Sequence, residues 1–305
     1  MLNKEYEVII IGGSYAGLSA AMALGRSLRN VLVIDAGSPC NQQTPHSHNF
    51  LTQDGETPAN IYKKAFDQVR QYKTIDFLED FATEASKTDT GFTVRTKNNQ
   101  TFSTKKLIIS SGIKDQMPDI DGFSSSWGIS VIHCPYCHGY EFRNEATGIF
   151  ANGEEAMHYV KLLSQLTNKL SIFTNGPALF TEEQKVVFNQ KGIAVIETPI
   201  KKINHQNGYL NSVQLADGQE HKLKALYARL PFKQHSAIPE QLGCTFSKNG
   251  FVEVSPMQET SVEGVFACGD NSNPMRSVAN AVYTGNFAGA SVNSKLAEES
   301  FNRVK

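Results

Sequence analysis

Cys134 and Cys137 stand two residues apart in the stretch His133-Cys134-Pro135-Tyr136-Cys137-His138-Gly139-Tyr140. Two thiols at that spacing can close a small disulfide ring. Such a pair also lowers the pKa of one member, so that a thiolate is present near neutral pH. A flanking imidazole titrates in the same range and can move protons. The chemistry on offer is thiol–disulfide exchange. Three other readings compete with it. A structural zinc ion needs four ligands. Cys134 and Cys137 supply one pair and His133 and His138 are close by, but Cys40, Cys244 and Cys268 are scattered and there is no second C-x-x-C. No metal site is therefore expected. Cys134 to His138 also spells the C-x-x-C-H pattern of haem attachment. That attachment follows export, and the first residues run directly into an apolar strand, so no cleaved signal peptide is expected. The last rival is a pair of packed cysteines with no chemical role. The context of the motif favours a redox dithiol over all three.

That context begins at the N-terminus. Glu7-Val8-Ile9-Ile10-Ile11 is a nearly continuous apolar run, as in a buried parallel strand. The turn Gly12-Gly13-Ser14-Tyr15-Ala16-Gly17 follows, and an Ala- and Leu-rich helix is expected over 18–29. Val31 to Ile34 is the next strand, ending at Asp35, 23 residues after Gly12. A dinucleotide's pyrophosphate sits on the N-terminus of such a helix, and the acid accepts hydrogen bonds from the ribose hydroxyls. Ser14 replaces the middle glycine; it is small, and its hydroxyl can donate to phosphate.

Residues 39–55 read as a polar loop carrying His46, His48 and Asn49. Its histidines fit surface or hydrogen-bonded loop positions better than catalytic ones. An amphipathic helix is expected over 58–72 and an antiparallel meander over 74–104. A buried strand then ends at Ser111-Gly112. Residues 117–122 look like a crossing into a second domain, which the cysteine stretch opens. Thr147 to Phe173 repeats the strand–turn–helix–strand pattern with a degraded turn. Ala151 replaces the first glycine, Glu154 and Glu155 start the helix, and Thr174-Asn175-Gly176-Pro177 brings no arginine for a 2′-phosphate. The chain returns over 231–239. Val265 to Ala267 leads to Cys268-Gly269-Asp270, and Arg276-Ser277-Val278 opens a last helix toward Glu299, with positive potential at its start.

The whole chain has 305 residues and a formal net charge of −1. That length suits two domains. The charge gives no sign of a nucleic-acid partner, and no apolar run of 18 residues exists to span a bilayer. An odd cysteine count with one close pair suits a reducing cytoplasm.

In their joint order these motifs resemble the low-molecular-weight thioredoxin reductase group of flavin disulfide oxidoreductases, over nearly the whole chain. The resemblance implies an α/β fold of two doubly wound Rossmann-like domains, the second inserted in the first. Residues 1–116 and 235–305 would bind FAD, and 117–234 would form the inserted, nicotinamide-domain-like part carrying the C-x-x-C. Gly12, Ser14, Ala16, Asp35, Asn49, Gly112, Gly269, Asp270, Ser277 and Val278 would line FAD. Cys137 would face the flavin and Cys134 would exchange with substrate. His138 stands where the group usually has an aspartate, and would handle protons with a pKa nearer neutrality. Its alternative is a helix-start residue giving one hydrogen bond. A homodimer is implied.

The degraded second turn sets NAD(P)H use in question. Group members that oxidise small dithiols with oxygen, including those that close the disulfide of gliotoxin-type natural products, have a stretch similar to Cys134–Glu141. Three functions stay open at this point. One is an oxygen-using dithiol oxidase. The second is a reductase of thioredoxin-like proteins fed by NAD(P)H or a reduced iron–sulfur protein. The third is a flavin-binding redox sensor.

Overall fold

A computed structural model describes residues 5–302. The chain forms two compact units. One holds the described residues up to Gln42, then Phe50–Lys114, then those from Phe232 onward; the other holds Gln43–Asn49 and Asp115–Pro231.

The first unit starts with β1 (Tyr6–Ile11), buried from Val8 onward. α1 (Tyr15–Arg26) follows with Ser14 as its N-cap. It starts three residues before the expected Leu18, because the glycine turn is short and already reaches the N-cap position at Ser14. β2 (Val31–Asp35) lies parallel to β1, with Val31 opposite Val8. α2 (Pro58–Val69) is capped by Thr57, whose side chain accepts the Asn60 N–H, with proline in its first turn. β3 (Ile75–Glu79) then pairs parallel with β2. The meander expected from residue 74 therefore begins only with β4 (Ala82–Thr88) and β5 (Gly91–Thr96), and continues into β6 (Thr101–Ile109). β7 (Ile113–Asp115) closes this part.

The second unit contains α3 (Phe123–Ser126), β8 (Val131–Ile132), α4 (Pro135–His138), β9 (Thr147–Phe150), α5 (Gly153–Leu163) and β10 (Leu170–Phe173). Then come α6 (Glu182–Lys191), β11 (Ala194–Ile196), β12 (Ile200–Gln206), β13 (Tyr209–Leu215), β14 (Glu220–Lys222) and β15 (Ala225–Ala228). Among the described residues its main sheet runs β11-β10-β9-β15-β8, with every pair parallel. β12, β13 and β14 form a separate antiparallel sheet. Two apolar clusters fill this unit, one around Phe123, Phe173 and Leu226, the other around Ile149, Val160 and Phe188.

The chain returns through β16 (Phe232–Gln234), which pairs with β7, then α7 (Ile238–Gln241), β17 (Val265–Ala267) and α8 (Val278–Phe301). β17 completes the first sheet by pairing parallel with the end of β6, Val265 opposite Leu107. β6 thus serves two partners on one side. Its first residues alternate in exposure and pair antiparallel with β5; its last four are all buried, and Leu107, Ile108 and Ile109 among them pair parallel with β17. Alternation suits a sheet with one wet face, and a continuous apolar run suits a strand covered on both faces. α8 packs on α1 at backbone distance: a Cβ on Gly285 would stand 2.1 Å from the Ala16 carbonyl oxygen. Ser19 Oγ donates to the Val282 carbonyl at 2.7 Å, and Arg29 Nε to Asn293 Oδ1 at 2.7 Å. Among the described residues, no helix is long and apolar enough to cross a membrane.

Candidate active site

β8 ends at Ile132, beside Tyr227 of β15, and releases the chain at His133. The next backbone position is pinned. Tyr159, on α5, donates its hydroxyl to the His133 carbonyl at 2.9 Å. The His133 ring stacks on Trp127 with centroids 5.9 Å apart, and Trp127 Nε1 donates to Asp115 Oδ2 at 3.2 Å. Cys134 is the N-cap of α4, and Pro135 fixes the first helical φ. The single turn that follows brings Cys137 back over Cys134, with Cα atoms 5.3 Å apart and the sulfurs joined in a disulfide. Cys134 Sγ accepts the Cys137 N–H at 3.2 Å. A backbone N–H on sulfur favours the thiolate once the bond is reduced.

His138 ends α4; it does not start a helix. Burial pushes its imidazole down to about 4, partly opposed by the nearby Glu141 carboxylate and reinforced by His48. The expectation of a pKa nearer neutrality is corrected accordingly. The side chain is neutral at physiological pH because desolvation penalises its charged form. The polar loop supplies a partner that the spacing of residues did not reveal. The His48 ring stands edge-on to His138 at 6.3 Å, and His48 Nε2 lies 3.6 Å from Glu141 Oε1. Among the described residues, no cluster of His, Cys, Asp and Glu is arranged to hold a metal ion.

The remaining candidates, apart from Asn49, lie in the first unit. Gly12 has φ +101°, and a Cβ there would stand 2.4 Å from the Ser110 carbonyl oxygen; one on Gly17 would stand 1.9 Å from the Gly12 oxygen. Only glycine makes this turn. Asp35 Oδ1 accepts the Gly13 N–H at 2.8 Å and Oδ2 the Gly37 N–H at 3.2 Å. A carboxylate has about four acceptor positions, so capacity remains for hydroxyl donors. Ser14 makes no side-chain cap hydrogen bond. A Cβ on Gly269 would stand 3.0 Å from the Ala16 Cβ, so the two chain ends meet at this turn. Gly112 has φ +66° and open space beside it. Asp270 and Arg276 approach to 3.6 Å. Ser277 caps α8 by accepting the Asn280 N–H at 3.1 Å, and Val278 is the first residue of that helix.

Sequence reasoning passed over two further groups. Ser111 Oγ and Asn280 Nδ2 are buried with no hydrogen-bond partner in the protein. Buried polar atoms are normally satisfied, so each of these two atoms has hydrogen-bonding capacity left for a polar ligand. A tight glycine turn, an acid with spare acceptors and two unsatisfied donors fit a dinucleotide. Asn49, with φ +60°, belongs to the short loop grouped with the second unit.

The second unit's turn is built differently. Asn152 Oδ1 accepts the N–H groups of Gly153 at 2.9 Å and Leu179 at 2.8 Å, while its Nδ2 donates to the Pro177 carbonyl at 2.8 Å. The side chain stitches the turn to the loop after β10. Glu154 accepts from Gln184 Nε2 at 2.6 Å, and Glu155 lies 3.8 Å from Arg229. The other thiols are inert or apart. Burial pushes Cys268 up to about 12 and raises Cys244, while Cys40 is exposed.

Comparison with known proteins agrees with this architecture. The profile described as pyridine nucleotide-disulphide oxidoreductase matches residues 6–285. Thioredoxin reductase sirT of Leptosphaeria maculans is 33% identical, across 94% of this chain and 93% of its own. Thioredoxin reductase tcpT of Claviceps purpurea is also 33% identical, across 95% and 94%. The crystal structure of an oxidoreductase from Agrobacterium tumefaciens superposes with a TM-score of 0.91 at 36% identity, covering 97% of this chain and 99% of that one. These matches run along nearly the whole of this chain. The chain belongs to the pyridine nucleotide-disulphide oxidoreductase family, as a thioredoxin reductase-like, flavin-dependent disulfide oxidoreductase whose redox-active pair is Cys134–Cys137.

Proposed function

We propose that this enzyme oxidises dithiols, with FAD held by the first unit and oxygen as the final acceptor, and that it draws no electrons from NADPH at the second unit's turn. The observation that carries the reading is Asn152. Its side chain already occupies the N–H of Gly153 and bridges to residues 177 and 179. Two carboxylates follow in the first helical turn. A pyrophosphate there would find a donor already used and like charge beside it.

Gly12, Gly13 and Gly17 let the pyrophosphate approach α1, Asp35 takes ribose hydroxyls, and Ser111 and Asn280 offer donors now without partners. Asp270, Ser277 and Val278 line the start of α8, where the helix dipole favours an anion. Bound FAD supplies a two-electron acceptor for the reduced dithiol. The remaining steps belong to the protein. A substrate thiolate attacks Cys134 Sγ and Cys137 leaves as a thiolate. The second substrate thiol then closes the substrate disulfide and releases Cys134. The Cys137 N–H steadies the charge on that leaving sulfur. Small dithiols suit these steps, and so does the dithiol of a thioredoxin-like protein. The family resemblance further supports a homodimer, which light scattering would check.

The names of the fungal relatives favour a second reading, a thioredoxin reductase fed by NAD(P)H. An anaerobic flavin spectrum separates the two. Bleaching by a dithiol but not by micromolar NADPH or NADH, with oxygen consumed when air returns, is the expected result. Bleaching by either nicotinamide would overturn the oxidase reading.

A further inference from the structure

Dithiol oxidation also moves protons. The substrate's first thiolate forms a bond to Cys134 Sγ as the Cys134–Cys137 bond breaks, and Cys137 keeps the electron pair. The second thiolate displaces Cys134 from the mixed disulfide, and Cys134 leaves with its pair. Two electrons pass from the substrate to the enzyme disulfide. The substrate gives up two protons; one returns to Cys134, and the other must leave the site.

His138, next to Cys137, is the obvious first acceptor, but it is buried and held neutral. It can pass a proton on, yet it is a poor place to keep one. A path outward is visible within the second unit. The His48 ring stands edge-on to His138 at 6.3 Å, and His46 lies 6.4 Å beyond His48. The His48 side chain is 21% exposed and Glu141 36%, so accessibility rises along the series. Glu141 Oε1 lies 3.6 Å from His48 Nε2, close enough to orient the ring. Four groups therefore bear on this path. His138 faces His48 from α4, Glu141 from the segment after it, and His46 from the same loop; Tyr227 of β15 is coupled to Glu141.

We propose that His138, His48 and Glu141 form a proton relay. His138 takes the proton from the dithiol, and His48, oriented by Glu141, receives it and gives it to solvent. One water or a ring rotation spans the gap between the imidazoles. His48 and Glu141 act through His138 and are positioning residues. The relay rests on the dithiol-oxidising reading above.

Anaerobic stopped-flow reduction of the holoenzyme by dithiothreitol tests it. His48→Ala is expected to slow reduction about 100-fold at neutral pH. Added imidazole should restore the rate in proportion to its free-base concentration. Glu141→Gln should give a smaller loss, also relieved by imidazole. If His48→Ala loses flavin or fails to fold, the near-isosteric His48→Gln carries the same comparison. Wild-type rates in the His48 variant, or a loss that imidazole does not relieve in a variant with full flavin content, would overturn the relay and leave the oxidase reading standing. A wild type that dithiothreitol leaves oxidised would overturn the oxidase reading, and the relay with it.

Discussion

Cys134 and Cys137 sit on one helical turn whose start is held by the Tyr159 hydroxyl. Serine at either position removes the exchangeable bond but touches nothing in the Gly12–Gly17 turn. Cys134→Ser and Cys137→Ser should each abolish dithiol turnover and keep full flavin absorbance. A Cys137→Ser enzyme with normal turnover would refute the division of roles between the two sulfurs. His138 carries a separate prediction about acid stability. Its imidazole falls to about 4 in the fold against an ordinary value near 6.5, so the unfolded chain binds the proton more tightly. Stability from this group is complete above about pH 6.5 and is lost as pH falls toward 4, by up to about 3 kcal/mol. His138→Gln should flatten that part of a urea-midpoint-against-pH curve. The cysteine pair is legible in the sequence because its chemistry depends on residues three apart. The contact of His48 with His138 is not, because it joins positions 90 residues apart and only the fold brings them together.

Among the elements, α1 and α8 offer the sharpest test. Gly285 lets the two backbones touch, and a methyl group there would press on the Ala16 carbonyl. Gly285→Ala should cost about 2–3 kcal/mol, as overpacking does, and should release flavin, since Ala16 lies in the glycine turn proposed to hold it; a thermal melt and an absorbance ratio would read both. Asn152→Ala removes a helix cap worth about 1 kcal/mol. It should still not permit bleaching by NADPH, because Glu154 and Glu155 remain at the helix start. Bleaching in that variant would show that the side chain alone closes the site. Local patterns announce most of these elements. The apolar runs of β1 and β2 and the cap of α8 are plain in the residues. The start of α1 is harder to place, because glycines suggest turn where the helix already begins after Ser14. β3 passes for part of the meander because a short alternating stretch does not say which neighbour it pairs with. The pattern of β6 changes midway, from alternating to continuous, and the change reflects two partners on one strand.

At the scale of the whole molecule, each unit has its own apolar clusters: the first around Val8, Leu24 and Phe266 and around Ile9, Leu107 and Val265, the second around Phe173 and Ile149. The span 115–231, expressed by itself, should fold and melt cooperatively, as a unit with its own core does. In the full enzyme, excess FAD should raise the melting of the first unit and leave the second unit's transition where it was, by simple mass action. The chain leaves the first unit after Lys114 and returns to it at Phe232, near Met117-Pro118 and at the head of the Pro231 to Pro239 stretch. The assignment of Gln43–Asn49 to the second unit is not legible, because nothing in that polar loop tells which core it will join.

β6 waits for β17, and α1 for α8. A ribosome delivers these partners in a fixed order. At about 5–20 residues per second, the insertion alone takes roughly ten seconds to emerge. The inserted unit can be complete while the earlier-made half of the first unit still exposes the flank of β6 and the apolar face of α1. The nascent chain is therefore most vulnerable to aggregation in its oldest part, and a chaperone holding that part would have to let go only when the last helix arrives.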